Sequence, residues 1–212
     1  MRRTAAALFL ATLTAAAPAL AAPPAGGEAP RPVGIVSRAQ GDVQAVRTGG
    51  ATPLGPSDPV AWRDEVATGE ASRLQVALLD EGSLTLGENT RLTVDELTVG
   101  APEDGSLLRL AVDGPFRLLS GALHHKEGTT IVTPVATIGI RGTDVWGGQI
   151  DGAWGVFILS GVVEVTTRAG TVVLDTPGTG TTITSPDAPP TDPVRWADAK
   201  VARAVETVTF QP

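Results

Sequence analysis

Apolar residues recur along this chain with a period of two, broken by Gly or Pro about every ten residues, the spacing of short strands and tight turns. Leu74, Val76 and Leu78 alternate with Arg73, Gln75 and Ala77, which predicts a strand over Ser72–Leu79 with one buried face. The same rhythm predicts strands at Val33–Val36, Gly41–Val46, Ser83–Leu86, Thr90–Val99, Ser106–Val112, Phe116–Ser120 and Thr129–Thr133. Leu92 and Val94 occupy one parity, Leu97 and Val99 the other, so a bulge is expected at Asp95–Glu96. Further strands are expected at Val156–Leu159, Val162–Thr167 and Thr171–Leu174, with turns at Asp151–Gly152, Ser160–Gly161 and Ala169–Gly170. Ala51–Pro59, with its prolines, reads as an irregular loop, and Trp62 as the side chain that anchors it to the sheet.

The period changes once. After a Pro-rich linker at Ser185–Pro193, residues Val194, Ala197, Val201, Ala204 and Val205 share one helical face. Asp192 as cap and Pro193 as first helical residue predict a helix over Pro193–Glu206, docking on the β body, with Thr207–Phe210 as a last short strand.

The stretch Thr133-Pro-Val-Ala-Thr-Ile-Gly-Ile-Arg-Gly-Thr-Asp-Val145 stands out. Thr133–Pro134 sets an extended entry. Gly139 and Gly142 are expected to interrupt the strand, as glycines at bulges or close backbone approaches do. Arg141 lies between these breaks, with Thr143 and Asp144 behind it. It is either a clamp on strand-end carbonyls or a carboxylate, or a group that reads an anion; the clamp is favoured.

Composition narrows the class. The 212 residues include 25 Gly and 17 Pro, no Cys and no Tyr, and carry a net charge of −7. The acidic balance argues against nucleic acid and anionic lipid as partners. Arg2–Arg3, the apolar run Ala5–Ala17 and Ala19-Leu20-Ala21 predict a cleaved export signal over residues 1–21. Residues 22–32 then form a Pro-, Ala- and Gly-rich leader. No further apolar run reaches the length of a membrane span. An exported chain without cysteine depends on its core for stability.

Candidate chemistry is sparse. His124 and His125 are adjacent, so in a strand they point to opposite faces and are poorly placed to share one metal. Ser160 lacks the G-x-S-x-G setting of a nucleophile elbow. The acidic pairs Asp80–Glu81, Asp95–Glu96 and Glu103–Asp104 lack the alternating ligands of a calcium loop and read as solvated turns. No cofactor is expected, and no catalytic or metal-ligating residue is assigned.

Two runs together resemble the FecR domain, a bacterial periplasmic β module. The first is Asp64-Glu-Val-Ala-Thr-Gly69, then Ser72–Arg73, then Leu79-Asp-Glu-Gly-Ser-Leu-Thr-Leu86. The second is Thr133–Pro134, Arg141-Gly142-Thr143, the hairpin from Val156 to Val165, and Gly178. With them the resemblance spans about Gly41 to Thr184. It implies an all-β, stacked solenoid-like or sandwich-like antiparallel domain over 33–184, with 185–212 as linker and helix. The structural motif is Thr133, Pro134, Gly139, Arg141, Gly142 and Thr143. It also implies a non-enzymatic protein-interaction scaffold with a protein partner in the periplasm or envelope, in envelope signalling. The alternatives are a structural or adhesion module of the envelope and a secreted enzyme. The family's best-known members add a cytoplasmic anti-sigma segment and a transmembrane helix. The sequence shows neither, so an iron-sensing role transfers only weakly.

Overall fold

The computed structural model describes residues 31–47, 50–79, 81–99, 106–120 and 129–212. The strands, in chain order, are β1 (Pro32–Gln40), β2 (Val43–Arg47), β3 (Gly50–Pro53), β4 (Pro59–Ala61), β5 (Glu65–Thr68), β6 (Arg73–Leu78), β7 (Ser83–Leu86) and β8 (Arg91–Val99). They continue as β9 (Ser106–Asp113), β10 (Phe116–Leu119), β11 (Thr129–Val132), β12 (Thr137–Ile150), β13 (Ala153–Thr166), β14 (Thr171–Leu174), β15 (Thr179–Ile183) and β16 (Val194–Arg195). One helix, α1 (Asp198–Glu206), follows.

All strands join one curled sheet, ordered β3-β2-β5-β8-β9-β11-β12-β10-β7-β6-β1-β4, with β13 on β12 and β14, β15 and β16 beyond it. Pairing is antiparallel except between β9 and β11, which run parallel and make the sheet mixed. The inward face holds a continuous apolar core that includes Leu74, Leu84, Leu92, Leu110, Phe116 and Ile138. The alternation read in the sequence is what fills it: Leu74, Val76 and Leu78 are buried while Gln75 and Ala77 face out. The bulge expected at Asp95–Glu96 is present as a register shift between Val94 and Glu96. Trp62 packs on the core, its Nε1–H donates to the Asp95 carbonyl at 3.3 Å, and the Arg63 guanidinium stacks 3.8 Å from its ring.

The β12–β13 hairpin organises the sheet. It turns at Asp151–Gly152, both in the left-handed region, as the Asp-Gly pair predicts. Residues 137–140 of β12 pair with β11, and residues 144–147 pair with β10. On β13, residues 163–166 carry β14 and residues 154–157 carry β15. Between these halves the register shifts, at Arg141–Asp144 opposite Ser160. The shift flips side-chain parity: Ile138, Ile140, Val163 and Val165 enter the core on one side of it, and Val145, Val156 and Ile158 on the other. One hairpin thus lines the core with both of its halves.

Four sequence expectations are corrected. Ser160–Gly161 is a bulge within the continuous strand β13, not a turn, because β12 keeps pairing on both sides of it. Gly139 does not interrupt β12; it pairs regularly with Thr130 and Glu164. Ala51–Pro59 is not irregular throughout, since β3 and the first residue of β4 lie in it, with Pro53 and Pro59 at strand ends where no donor is needed. Thr207–Phe210 forms no strand; Val208 and Thr209 instead continue the helix end through bonds to Val205 and Glu206.

The helix also starts later than its pattern predicts. Val194–Arg195 pair with Thr179–Gly180, and Trp196 inserts into a second, smaller core with Trp146, Phe157, Ala204 and Val208. The Trp196 ring stacks on Phe157 at 5.1 Å and meets Trp146 edge-on at 5.9 Å. It fits because residues 155 and 180 are glycines: a Cβ there would lie 2.8 Å and 2.6 Å from the indole. These contacts hold the chain extended to Ala197, which takes the cap position with no side-chain bond. Asp192 and Pro193 therefore lie outside the helix, and Val194 and Ala197 are exposed. The docked stripe is Val201 and Ala204, continued past the helix end by Val208.

Candidate functional site

The loop between β11 and β12 is built on Thr133. Its Oγ1 accepts the Ala136 N–H at 3.0 Å and donates to the Ala136 carbonyl at 2.9 Å. The Thr133 N–H reaches the same carbonyl at 2.8 Å, so Pro134 and Val135 form a tight closed tip. A matching motif closes the turn after β13. Thr167 Oγ1 accepts from Ala169 N–H at 3.2 Å and donates to the Ala188 carbonyl at 2.9 Å, while Arg168 N–H donates to the Pro186 carbonyl at 3.0 Å. The linker of 185–193 is thereby stitched onto the β body. Between the two turns lies an open groove of about 310 Å³, lined by Pro134, Val135, Thr137, Thr166, Arg168 and Pro186 among others. Arg168 pairs with Asp187 at 2.8 Å, a bond that holds its guanidinium above its ordinary pKa.

The second half of the motif sits at the bulge. Gly142 has φ +59 and Gly161, facing it, has φ +83. Open space surrounds the Gly142 Cβ position, whereas a Cβ on Gly161 would strike the Gly142 carbonyl. Thr143 is buried; its N–H donates to Ser120 Oγ at 2.6 Å and its Oγ1–H to the Val162 carbonyl at 3.3 Å. Ser120 N–H returns a bond to the Thr143 carbonyl at 2.9 Å.

Arg141 pairs with Val162 through its backbone, and its exposed side chain makes no hydrogen bond or ion pair among the described residues. The clamp expected of it is made by Arg117 on β10. Arg117 Nε and Nη2 hold the two oxygens of Asp144 at 2.8 Å and 2.7 Å, a fork that raises the Arg117 pKa. Sequence reasoning passed over Arg117 because nothing local marks it; the register Arg117↔Trp146 and Leu119↔Asp144 sets it two residues from Asp144's row, on the same face of β10 as Leu119. The upstream motif is structural in the same way. Asp64, buried, receives Arg47 at 2.7 Å and 2.6 Å and the Ala61 N–H at 2.9 Å. Ser72 Oγ accepts the Asp42 N–H at 2.8 Å.

No group of three or more metal-ligating side chains occurs among the described residues. His124, His125, Asp80, Glu103 and Asp104 lie outside them. Ser160 is exposed opposite Asp144, and no histidine lies among the described residues to act as its base.

The motif residues thus divide between an end of the sheet, where Thr133–Pro134 shapes a groove, and a corner, where Gly142–Thr143 fixes the bulge. The FecR protein family matches residues 64–164, from the turn before β5 to the far half of β13. Residues 64–164 are similar to a FecR domain. No curated protein matches the sequence. Two crystal structures of a protein from Parabacteroides distasonis ATCC 8503, assigned as an anti-sigma factor, share this fold. One, at 1.65 Å, is 15% identical with a TM-score of 0.55 over 66% of this chain and 64% of that one. The other, at 2.50 Å, is 17% identical with a TM-score of 0.55 over 66% and 63%. The chain spans under two thirds of the length of either. No helix among the described residues is long and apolar enough to cross a membrane.

Proposed function

We infer that this chain is a non-enzymatic, periplasmic protein-interaction scaffold that acts in envelope signalling. The observation that carries the reading is the FecR match across 64–164, the region holding the corner and most of the core. Three features support it. The solved relatives of the fold are assigned to anti-sigma regulation. The motif's polar side chains are spent on structure: Thr133, Thr143, Ser120 and Asp144 satisfy backbone groups or one another, leaving no free acid–base set at the motif. The groove beside Pro134 is open and threonine-lined, a shape suited to backbone contacts with another chain. The export signal expected over residues 1–21 supports the periplasmic reading.

The test is cell fractionation joined to photo-crosslinking, with benzoylphenylalanine placed at Val135, at Arg168 and at the distant exposed Ile35. The mature chain in the periplasmic fraction, crosslinked to a single envelope protein from Val135 or Arg168 but not Ile35, is the expected result. A cytoplasmic chain, or one that crosslinks to nothing, overturns the reading.

A further inference from the structure

We propose that β14 is a docking edge that takes one extended strand of a partner protein in antiparallel pairing. The inference rests on the scaffold reading above and names the mode of contact.

The edge is open at the backbone. β14 pairs only with β13. The turn bond from Thr167 N–H to the Gly170 carbonyl sets the phase of that ladder. By antiparallel alternation Val172 and Leu174 then point their N–H and C=O groups at β13. Thr171 and Val173 point theirs outward, and neither finds another partner among the described residues. A row of unmatched donors and acceptors has one geometric complement, an extended peptide.

The edge also lacks the usual protection. Natural edges carry Pro, Lys, a bulge or a covering segment. β3 ends on Pro53; β4 is three residues long, starts at Pro59, and has the Pro59 carbonyl taken by Arg47 at 3.2 Å; β16 is two residues long. Thr171-Val-Val-Leu174 has neither proline nor charge, and Val173 is 47% exposed. Val172 packs against the main core, so an added strand would extend that core by its inward side chains.

Charge says what the outer face of the added strand carries. Val173 lies opposite Glu164, which has no cation partner among the described residues, and Asp175 follows on the same face. Arg141 is on β12, two strands in from the edge, and Arg168, at the turn, is held by Asp187. The incoming strand therefore has β-branched residues facing Val172–Leu174 and a Lys or Arg facing Asp175 and Glu164. A second copy fits worse: it repeats the acids, on a chain of net −7.

The test uses the mature chain and a fluorescein-labelled hexapeptide, Lys-Val-Thr-Val-Thr-Lys, read by anisotropy and by amide hydrogen exchange. Val173→Pro deletes one outward N–H and spares the ladder to β13, and Val173→Lys places a like charge against the peptide. Circular dichroism shows whether each variant is folded, and at least one must be. The expected result is saturable binding that slows exchange at Thr171 and Val173. It weakens about tenfold or more in the folded variants and with a peptide N-methylated along its docking edge. Binding undiminished in Val173→Pro, or none by the wild type, overturns the proposal. So does a wild-type dimer that Val173→Pro makes monomeric, because the occupant is then a second copy. Should the crosslinking experiment still capture its envelope protein from the Val173→Pro chain, the scaffold reading stands and the edge proposal alone falls.

Discussion

Three glycines of the motif look alike in sequence and do different work. Gly161 has both a left-handed φ of +83 and a neighbouring carbonyl in the space of a side chain; Gly142 has only the φ, at +59; Gly139 has neither. Valine at each position should therefore destabilise in that order. Gly161→Val is expected to cost about 3 kcal/mol or more, Gly142→Val about 1–2 kcal/mol, and Gly139→Val nothing measurable, in urea melts at fixed salt. Equal midpoints for Gly161→Val and Gly139→Val would refute the corner as a backbone contact. The arginines divide likewise. Arg117→Ala strips the fork from half-buried Asp144 and should cost about 1–3 kcal/mol, while Arg141→Ala leaves the midpoint in place. That glycine was needed near 142 was legible, because a β-branched run broken by glycine beside a polar trio signals a bulge. Which arginine served the bulge was not, because Arg117 reaches Asp144 through a strand pairing 27 residues away in sequence.

Elements were legible where one period governed them. Strands β6, β7, β8 and β14 follow their alternation to within a residue or so. The helix start failed because tertiary contact outweighed capping propensity: Trp196 in its glycine slot holds extended the stretch that Asp192–Pro193 would have made helical. Trp196→Ala should accordingly empty the second core and cost about 3–5 kcal/mol. It should also release the stacked Phe157 and Trp146, seen as a loss of near-ultraviolet circular dichroism. Outside that core a latch holds α1 to the hairpin tip. Arg203 donates to Asp151 at 2.7 Å and Lys200 lies 3.4 Å away, and these cations, Arg203 first, hold the Asp151 carboxyl below its ordinary pKa. A depressed carboxylate pKa adds stability above the unfolded value and loses it as pH falls through the folded one. The helix should thus loosen below about pH 4. Hydrogen exchange of the α1 amides, compared between wild type and Asp151→Asn, checks this: the variant should already be loose at neutral pH and show no further change from this group on acidification. An acid response identical in both would assign the effect elsewhere.

The whole molecule has two cores of unequal rank on opposite faces of one hairpin, and this arrangement was the least legible part of the sequence. Alternation announces that a strand has a buried face. It does not announce that β12 and β13 bury both, because Trp146 and Phe157 occupy the parity that the neighbouring strands give to solvent. Only the docking of 194–212 explains them: Trp196, Ala204 and Val208 cover that face, Trp146 Nε1–H reaches Thr207 Oγ1 at 3.1 Å, and Gln211 N–H reaches Gln40 Oε1 at 3.1 Å on β1. The main core contains no residue of this segment. Removing residues 194–212 should therefore leave a folded sheet with an exposed aromatic face rather than an unfolded chain. The expected signature is an unchanged β-type far-ultraviolet spectrum less its helical part, new binding of an anilinonaphthalene dye, and a melting temperature lower by several degrees. Full-length chain carrying Trp196→Ala should show a weaker form of the same dye binding, since its helix still covers part of the face. A truncated chain that gives a random-coil spectrum would mean the second core is not subordinate. The C-terminal segment would then belong to the folding unit of the sheet itself.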